Sequence, residues 1–281
     1  VISEKPNAAR RIAQALDEKE NPHEIKVGSV SYYECTRHDD TIWVVYALGH
    51  LYELRQMESG WNYPRLETEW VPKYEVEKNA AKTRPLIALF KRLAEQADRF
   101  VIATDYDIEG SLIGYLVLKL ACNVDTATAQ RMVFSSLTKP DIVEAYQNVR
   151  SNLDFLMIES GCVRHEVDWL YGINLTRAFT LSIKKASGWF RIVSTGRVQG
   201  PALAFVALRD REINLFVPTP FWDITVQCIH DGHEMNIEYD GGRIDTKAKA
   251  SEIAEEIRGV LHHPHYTRTM YQMYKELFTW V

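Results

Sequence analysis

The 281 residues are 46% hydrophobic and 25% charged, with a formal net charge of −5. That composition supports one large globular domain or two ordinary ones, and its acidic balance excludes an indiscriminate polybasic binder. No apolar run approaches a membrane span and no charged-then-apolar leader is visible, so a cytoplasmic protein is expected, with no membrane partner. Cys35, Cys122, Cys162 and Cys228 show no C-x-x-C spacing, which argues against a zinc site or a disulfide framework.

In chain order, Val1-Ile2 reads as the end of a strand that delivers Ser3-Glu4-Lys5-Pro6 to an amphipathic helix over Asn7 to Leu16. Strands are predicted over Thr41 to Leu48, Arg99 to Ala103 and Arg131 to Phe134. Helices are predicted over Arg84 to Gln96, Gly110 to Ala121 and Lys139 to Val149. This alternation is the mark of an α/β layer, a mostly parallel sheet with flanking helices. From Leu153 the pattern turns helical, with Asp154 to Leu175, Leu175 to Ala186 and a helix from near Val198 to Ile213. Beyond Phe216-Val217-Pro218-Thr219-Pro220, strands at Phe221 to Ile229 and Met235 to Tyr239 precede a helix from Ala248 to Arg258. The implied division is an α/β domain over 1–152, a helical domain over 153–215, a small β-rich segment over 216–260, and a tail, 261–281, of unassigned place.

Asp105-Tyr106-Asp107-Ile108-Glu109-Gly110 follows the apolar run Phe100-Val101-Ile102-Ala103, putting three carboxylates at a strand end where a helix begins. Hard divalent cations such as Mg²⁺ take oxygen ligands of this kind and keep water or phosphate in their other positions. The alternative is a solvated turn whose acids cap the helix. Glu4 ends another strand, and crevices at strand carboxyl ends are where ligands bind in open α/β sheets, so the four acids are expected to converge. Between Gly161 and Gly200 lie Arg164, Arg177, Lys184, Lys185, Arg191 and Arg197 against only Glu166 and Asp168, a basic stretch suited to a polyanion. Ser194, Thr195 and the amides near Gly196 read as an anion-binding helix start, with Arg197 as a forked clamp; a capped helix with a surface arginine is the alternative. Arg164, Asp168 and Tyr171 share a helix face, and the first two also have the spacing of an ordinary ion pair.

Glu4 with Asp105, Asp107 and Glu109 resembles the TOPRIM module of topoisomerases, primases and some nucleases. Ala47-Leu48-Gly49-His50-Leu51, the run Arg164 to Ala178, Ser194-Thr195-Gly196-Arg197-Val198-Gln199-Gly200-Pro201-Ala202-Leu203 and Phe134-Ser135-Ser136-Leu137-Thr138-Lys139 are similar to blocks of type IA DNA topoisomerases, particularly archaeal ones. The resemblance implies Mg²⁺ on the triad, Glu4 as a proton-transfer or orienting group, Lys5 against phosphate charge and His50 near the reacting centre. It implies DNA contacts at Arg164, Asp168, Ser194, Thr195, Arg197 and Gln199, and a β-rich arch. Its activity would be cleavage of one strand through a 5′-phosphotyrosine, strand passage and religation without ATP; no phosphate-binding G-x-x-x-x-G-K-[ST] loop is present. A monomer acting on single-stranded or underwound DNA, associated with the nucleoid, is expected.

The chain also departs from that pattern. Tyr266-Thr267-Arg268-Thr269 matches the family's nucleophile block, with Tyr266 as nucleophile and Arg268 as charge stabiliser, but its flanks are unfamiliar and the expected intervening helices are largely missing. A fragment and a shortened relative are both compatible with this. Ile108 stands where many bacterial relatives carry arginine. A TOPRIM nuclease or primase, or an inactive single-stranded-DNA-binding fragment, are the competing readings.

Overall fold

A computed structural model describes residues 1–230, 233–261 and 272–273. It divides into two compact units, Val1–Leu203 and Ala204–Val281.

The first unit is built on a six-stranded sheet. β1 (Ile2–Ser3) leads through Pro6, at the first helical turn, into α1 (Pro6–Leu16); proline is tolerated there because its missing N–H has no intrahelical partner to lose. An antiparallel meander comes next, β2 (His23–Val27), β3 (Val30–Arg37) and β4 (Asp40–Tyr46). β5 (Tyr52–Gln56) and β6 (Thr68–Pro72) form a separate antiparallel pair, succeeded by the short α2 (Lys73–Val76) and by α3 (Thr83–Ala94). The unit continues with β7 (Val101–Ile102), α4 (Ile108–Leu116), β8 (Gln130–Arg131), α5 (Lys139–Gln147) and the 33-residue α6 (Phe155–Ser187). Sheet order is β2-β3-β4-β1-β7-β8, with β1 parallel to both neighbours and β7 parallel to β8. The sheet is thus mixed, its parallel part being the half that carries the acidic strand ends.

Side chains alternate across this sheet and are buried on both faces. Ile2, Val45 and Ile102 join Leu86, Leu89, Phe90, Leu112 and Ile113 on one face, while Val44, Val101 and Ala103 join Ile12, Leu16, Met132 and Ile142 on the other. On α1, Ala9, Ile12, Ala13 and Leu16 are buried and Arg10 and Arg11 exposed, the amphipathic pattern read from the sequence.

The pair β5 and β6 and the short α2 were not expected from the sequence, and two further differences have a visible cause. The run 23–37, to which the sequence pattern assigns no element, supplies β2 and β3; its polar residues Ser31, Glu34 and Thr36 and the burial of Val30, Tyr32 and Cys35 break strict alternation. The two helices expected to meet at Leu175 are one, because no proline occurs between Phe155 and Ser187 and Asn174 turns its side chain to the Leu170 carbonyl instead of interrupting the backbone.

α7 (Gln199–Leu215) leads the chain from one unit into the other. In the second unit β9 (Thr225–His230) pairs antiparallel with β10 (His233–Glu238), and α8 (Lys247–Leu261) comes after them; β11 (Gln272–Met273) pairs with the other side of β9. Its core joins Ile224, Ile244, Ala250 and Ala254 to Trp222, Ile253 and Ile257. Among the described residues, no helix is long and apolar enough to cross a membrane.

Candidate active site

The turn from β7 to α4 is held closed by its own backbone. Asp107 is the N-cap of α4, one of its carboxylate oxygens accepting the Gly110 N–H at 2.6 Å, and the Thr104 hydroxyl donates to the Gly110 carbonyl at 2.7 Å. A side chain at Gly110 would collide with the Asp105 carbonyl, so the tight turn requires glycine. Arg131, buried at the end of β8, donates to the Thr104 hydroxyl at 2.9 Å and to the Asp105 carbonyl at 2.7 Å. Burial pulls its pKa down to about 10, still far above neutrality. Tyr106 is stacked against both Arg131 and Arg150, and its hydroxyl accepts from Arg150 at 2.8 Å. The acidic loop is therefore clamped before any ligand arrives.

The acids then separate into two groups. Lys5 lies 3.0 Å from Glu4 and 3.3 Å from Asp105, joining the ends of β1 and β7 as the parallel pairing predicts. Hydrogen bonds to Glu4 and then Asp105 raise the Lys5 pKa, so the ammonium is fully charged near neutrality. Glu109 points elsewhere. Its Oε2 meets His50 Nε2 at 2.8 Å and His165 Nε2 at 2.9 Å, and its Oε1 lies 3.4 Å from Arg164. Burial alone would raise the Glu109 pKa, but the bonds from His165 and His50 outweigh it and hold the carboxyl below its usual range. Burial also lowers the His50 pKa, against the opposing pull of Glu109, so His50 is held neutral. The candidate ligand atoms of His50, Glu109 and His165 all lie within 4.8 Å of one another.

Hard carboxylate oxygens fit a divalent cation here: the cap uses one oxygen of Asp107 and the lysine one oxygen of Asp105, which leaves the other oxygen of each without a hydrogen bond among the described residues.

The basic segment is arranged differently from a row of open clamps. Arg197 makes a forked contact with Asp168, Nε to Oδ1 at 2.6 Å and the outer nitrogen to Oδ2 at 3.2 Å. Asp168 thus pairs across 29 residues with Arg197, and Arg164 with Glu109, in place of the i,i+4 bridge that their spacing allows. Thr195 presents no open amide either, since its N–H donates to the Thr176 hydroxyl at 3.1 Å. Arg177 is buried, donating to the Asn62 carbonyl and the Gln56 side chain, and so braces the loop after β5. Ser194 and Gln199 flank this region, Gln199 as the first residue of α7. Tyr266 and Arg268 lie outside the described residues.

His165 carried no separate signal in the sequence beyond standing next to Arg164 on a helix; its meeting with Glu109, 56 residues away, is tertiary. Arg131 offered a weak one, a charge at the end of an apolar strand.

Comparison with known proteins identifies the family. The family model described as the Toprim domain matches residues 1–137, and that described as DNA topoisomerase matches residues 152–271. DNA topoisomerase 1 of Pyrococcus horikoshii is 42% identical over 258 residues, 92% of this chain and 38% of that protein. DNA topoisomerase 3 of Vibrio cholerae is 33% identical over 233 residues, 79% of this chain and 34% of its own length. The chain therefore spans little more than a third of the curated relatives it matches here. The solved structure of full-length topoisomerase I from Thermotoga maritima shares its fold, with a TM-score of 0.53 and 22% identity over 90% of this chain and 36% of that one. Toprim domains bind a divalent metal, and the hard oxygen set at the β7 to α4 turn is consistent with that. With both family models matching in sequence order across most of its length, the chain belongs to the type IA DNA topoisomerases, of which it carries the Toprim domain and part of the region C-terminal to it.

Proposed function

We propose that the chain provides the metal-binding and strand-gripping part of an enzyme that cuts one DNA strand through a 5′-phosphotyrosine, passes another strand, and reseals without ATP. The observation that carries this reading is the joining of Glu4, Lys5 and Asp105 at the ends of adjacent parallel strands, beside a clamped acidic loop. Asp105 and Asp107 would hold Mg²⁺, with Glu109 joining them only on leaving His50, His165 and Arg164, and the ion when bound would supply charge neutralisation for the scissile and neighbouring phosphates. Lys5 adds a fixed positive charge at the same place. In the transfer, the tyrosine hydroxyl gives its proton to the Glu4 carboxylate as its oxygen bonds to phosphorus, the bond to the 3′-oxygen breaks, and Glu4 passes that proton to the leaving oxygen; religation runs the same steps backwards. Tyr266 is the candidate nucleophile and Arg268 its candidate charge stabiliser. His50 keeps Glu109 oriented, and Arg164, Ser194, Thr195, Arg197 and Gln199 form the strand-gripping face, with Asp168 holding the Arg197 fork until a phosphate displaces it. A nuclease or primase would share the acids but has no use for the second matched block, which favours the topoisomerase reading.

The test is covalent trapping. Labelled single-stranded DNA is incubated with the protein and Mg²⁺, then denatured; label on protein that disappears in Tyr266→Phe is expected. No adduct from a chain that still binds DNA would remove Tyr266 from the reaction. In the full-length parent, Asp105→Asn with Asp107→Asn is expected to abolish religation while DNA binding persists, and undiminished relaxation would sink the assignment of the acids.

A further inference from the structure

Glu109 Oε2 is approached by two imidazole nitrogens, His50 Nε2 at 2.8 Å and His165 Nε2 at 2.9 Å. Two imidazoles converging on one carboxylate oxygen is an unusual way to satisfy a single acceptor. The pair also suits neighbouring ligands of one cation, since the three candidate ligand atoms all lie within 4.8 Å of one another. With metal–ligand distances of about 2.0–2.1 Å, neighbouring ligands at right angles are about 2.8–3.0 Å apart, so both nitrogen–oxygen edges are already in place. These separations are those of hydrogen bonds, so a cation that replaced the two protons would sit near the point on which both Nε2 atoms converge, with the Glu109 carboxylate drawn aside to coordinate it. Two histidines and one carboxylate on a face leave the opposite positions open to water or an anion.

We infer that His50, Glu109 and His165 form a binding site for a first-row divalent transition cation of the Mn²⁺, Fe²⁺ or Co²⁺ class, distinct in ligand chemistry from the oxygen site of Asp105 and Asp107. Two imidazoles and one carboxylate are the ligand set of ferrous sites, which Co²⁺ and Mn²⁺ can also occupy, whereas Mg²⁺ prefers oxygen and sheds water reluctantly. The site shares Glu109 with the function proposed above but rests on its own geometry.

The surroundings specify how tightly it holds. His50 and His165 are mostly buried, their side chains 17% and 22% exposed, with ring centroids 4.7 Å apart, and Trp70 packs 5.7 Å from His165. The rings are thus fixed before binding. In the metal-free state each Nε2 carries the proton it gives to Glu109. To bind a cation at Nε2, a neutral imidazole must shift that proton to Nδ1, and the buried His50 Nδ1 has no hydrogen-bond partner among the described residues. Metal-ligating histidines ordinarily have that partner, and its loss typically weakens binding by roughly ten- to a hundred-fold. The cation is accordingly exchangeable. Through Glu109, its arrival also competes with the oxygen site for one carboxylate.

The experiment is titration of the full 281-residue chain with Co²⁺, without DNA or Mg²⁺, following the visible d–d absorption. One Co²⁺ is expected to give a band that His50→Ala and His165→Ala each weaken in affinity by at least roughly tenfold. The Asp105→Asn, Asp107→Asn double variant is expected to retain it, which separates this site from the one proposed for catalysis. Equal Co²⁺ affinity in both histidine variants, or loss only in the aspartate variant, overturns the inference. Should the histidine variants fail to fold, Mn²⁺ bound to the wild-type chain decides: spin-echo modulation from imidazole nitrogen supports the site, and its absence overturns it.

Discussion

The side chain most changed in meaning by its surroundings is Arg197. Its planar fork lies on Asp168, so a phosphate must displace a carboxylate to reach it. Both residues are nearly half exposed, and such a pair contributes little to stability, which leaves it available for exchange. Asp168→Ala is expected to strengthen binding of a single-stranded oligonucleotide at low salt and steepen its salt dependence by at most about 0.7 in slope, while Arg197→Ala does the reverse. Anisotropy across a salt series measures both; identical curves for wild type and Asp168→Ala would mean Arg197 meets no phosphate. At Gly110, alanine would press on the Asp105 carbonyl that Arg131 also holds, so Gly110→Ala is expected to cost about 1–3 kcal/mol in urea unfolding. The acids themselves were legible because their spacing is local. Lys5 and His50 entered only through the family resemblance, and their pairings were not legible: Lys5 reaches Asp105 across 100 residues and His50 reaches Glu109 across 59, distances that no periodicity encodes.

Among the elements, α1 shows how a helix end is fixed to a sheet. It stops at Asp17, whose carboxylate accepts the N–H groups of Lys19 at 3.1 Å, Asn21 at 3.0 Å and, in β3, Thr36 at 3.0 Å. Burial works to raise the Asp17 pKa, but the three backbone donors, Thr36 first, prevail and lower it from 3.8. A carboxylate depressed in the folded state stabilises above its unfolded pKa and loses that contribution as pH falls through the folded value. Asp17→Ala is therefore expected to cost about 1–3 kcal/mol at pH 7, and the difference from wild type to shrink below about pH 4, by thermal unfolding across a pH series. A constant difference down to about pH 2 would show that the contacts are made equally well by the neutral acid. Of the helices of the first unit, α1, α3 and α5 were readable to within a few residues, whereas α6 was read as two helices and the short α2 was not read. The strands divided: β1, β4, β7 and β8 were read from their apolar runs, though β1, β7 and β8 proved only two residues long, while β2, β3, β5 and β6 were not read.

On the scale of the whole molecule, a net charge of −5 conceals where a polyanion could settle. Arg164, Arg177 and Arg197 are engaged by protein groups, which leaves Lys184, Lys185 and Arg191, at and just beyond the end of α6, without ion pairs among the described residues. Lys184 lies over the Phe190 ring, and Trp189 and Phe190 beside it are exposed, giving charge and stacking surface together. Replacing Lys184, Lys185 and Arg191 together by alanine is expected to lower the salt slope of single-strand binding by roughly 2, more than Arg197→Ala does. An unchanged slope would remove this end from the binding face. The distance between this end and the acids is set by α6. Gly161 lets it settle closely on α4, where a side chain would stand 3.1 Å from Leu112 Cβ, and the helix then runs unbroken to Ser187. From Arg164 to Lys184 it advances about 30 Å, and one residue inserted between them would turn the far end by about 100°. The helix is a rigid shaft: residue count alone fixes both the reach and the rotational phase at which a strand, if gripped at one end as proposed, would be presented to the carboxylates at the other.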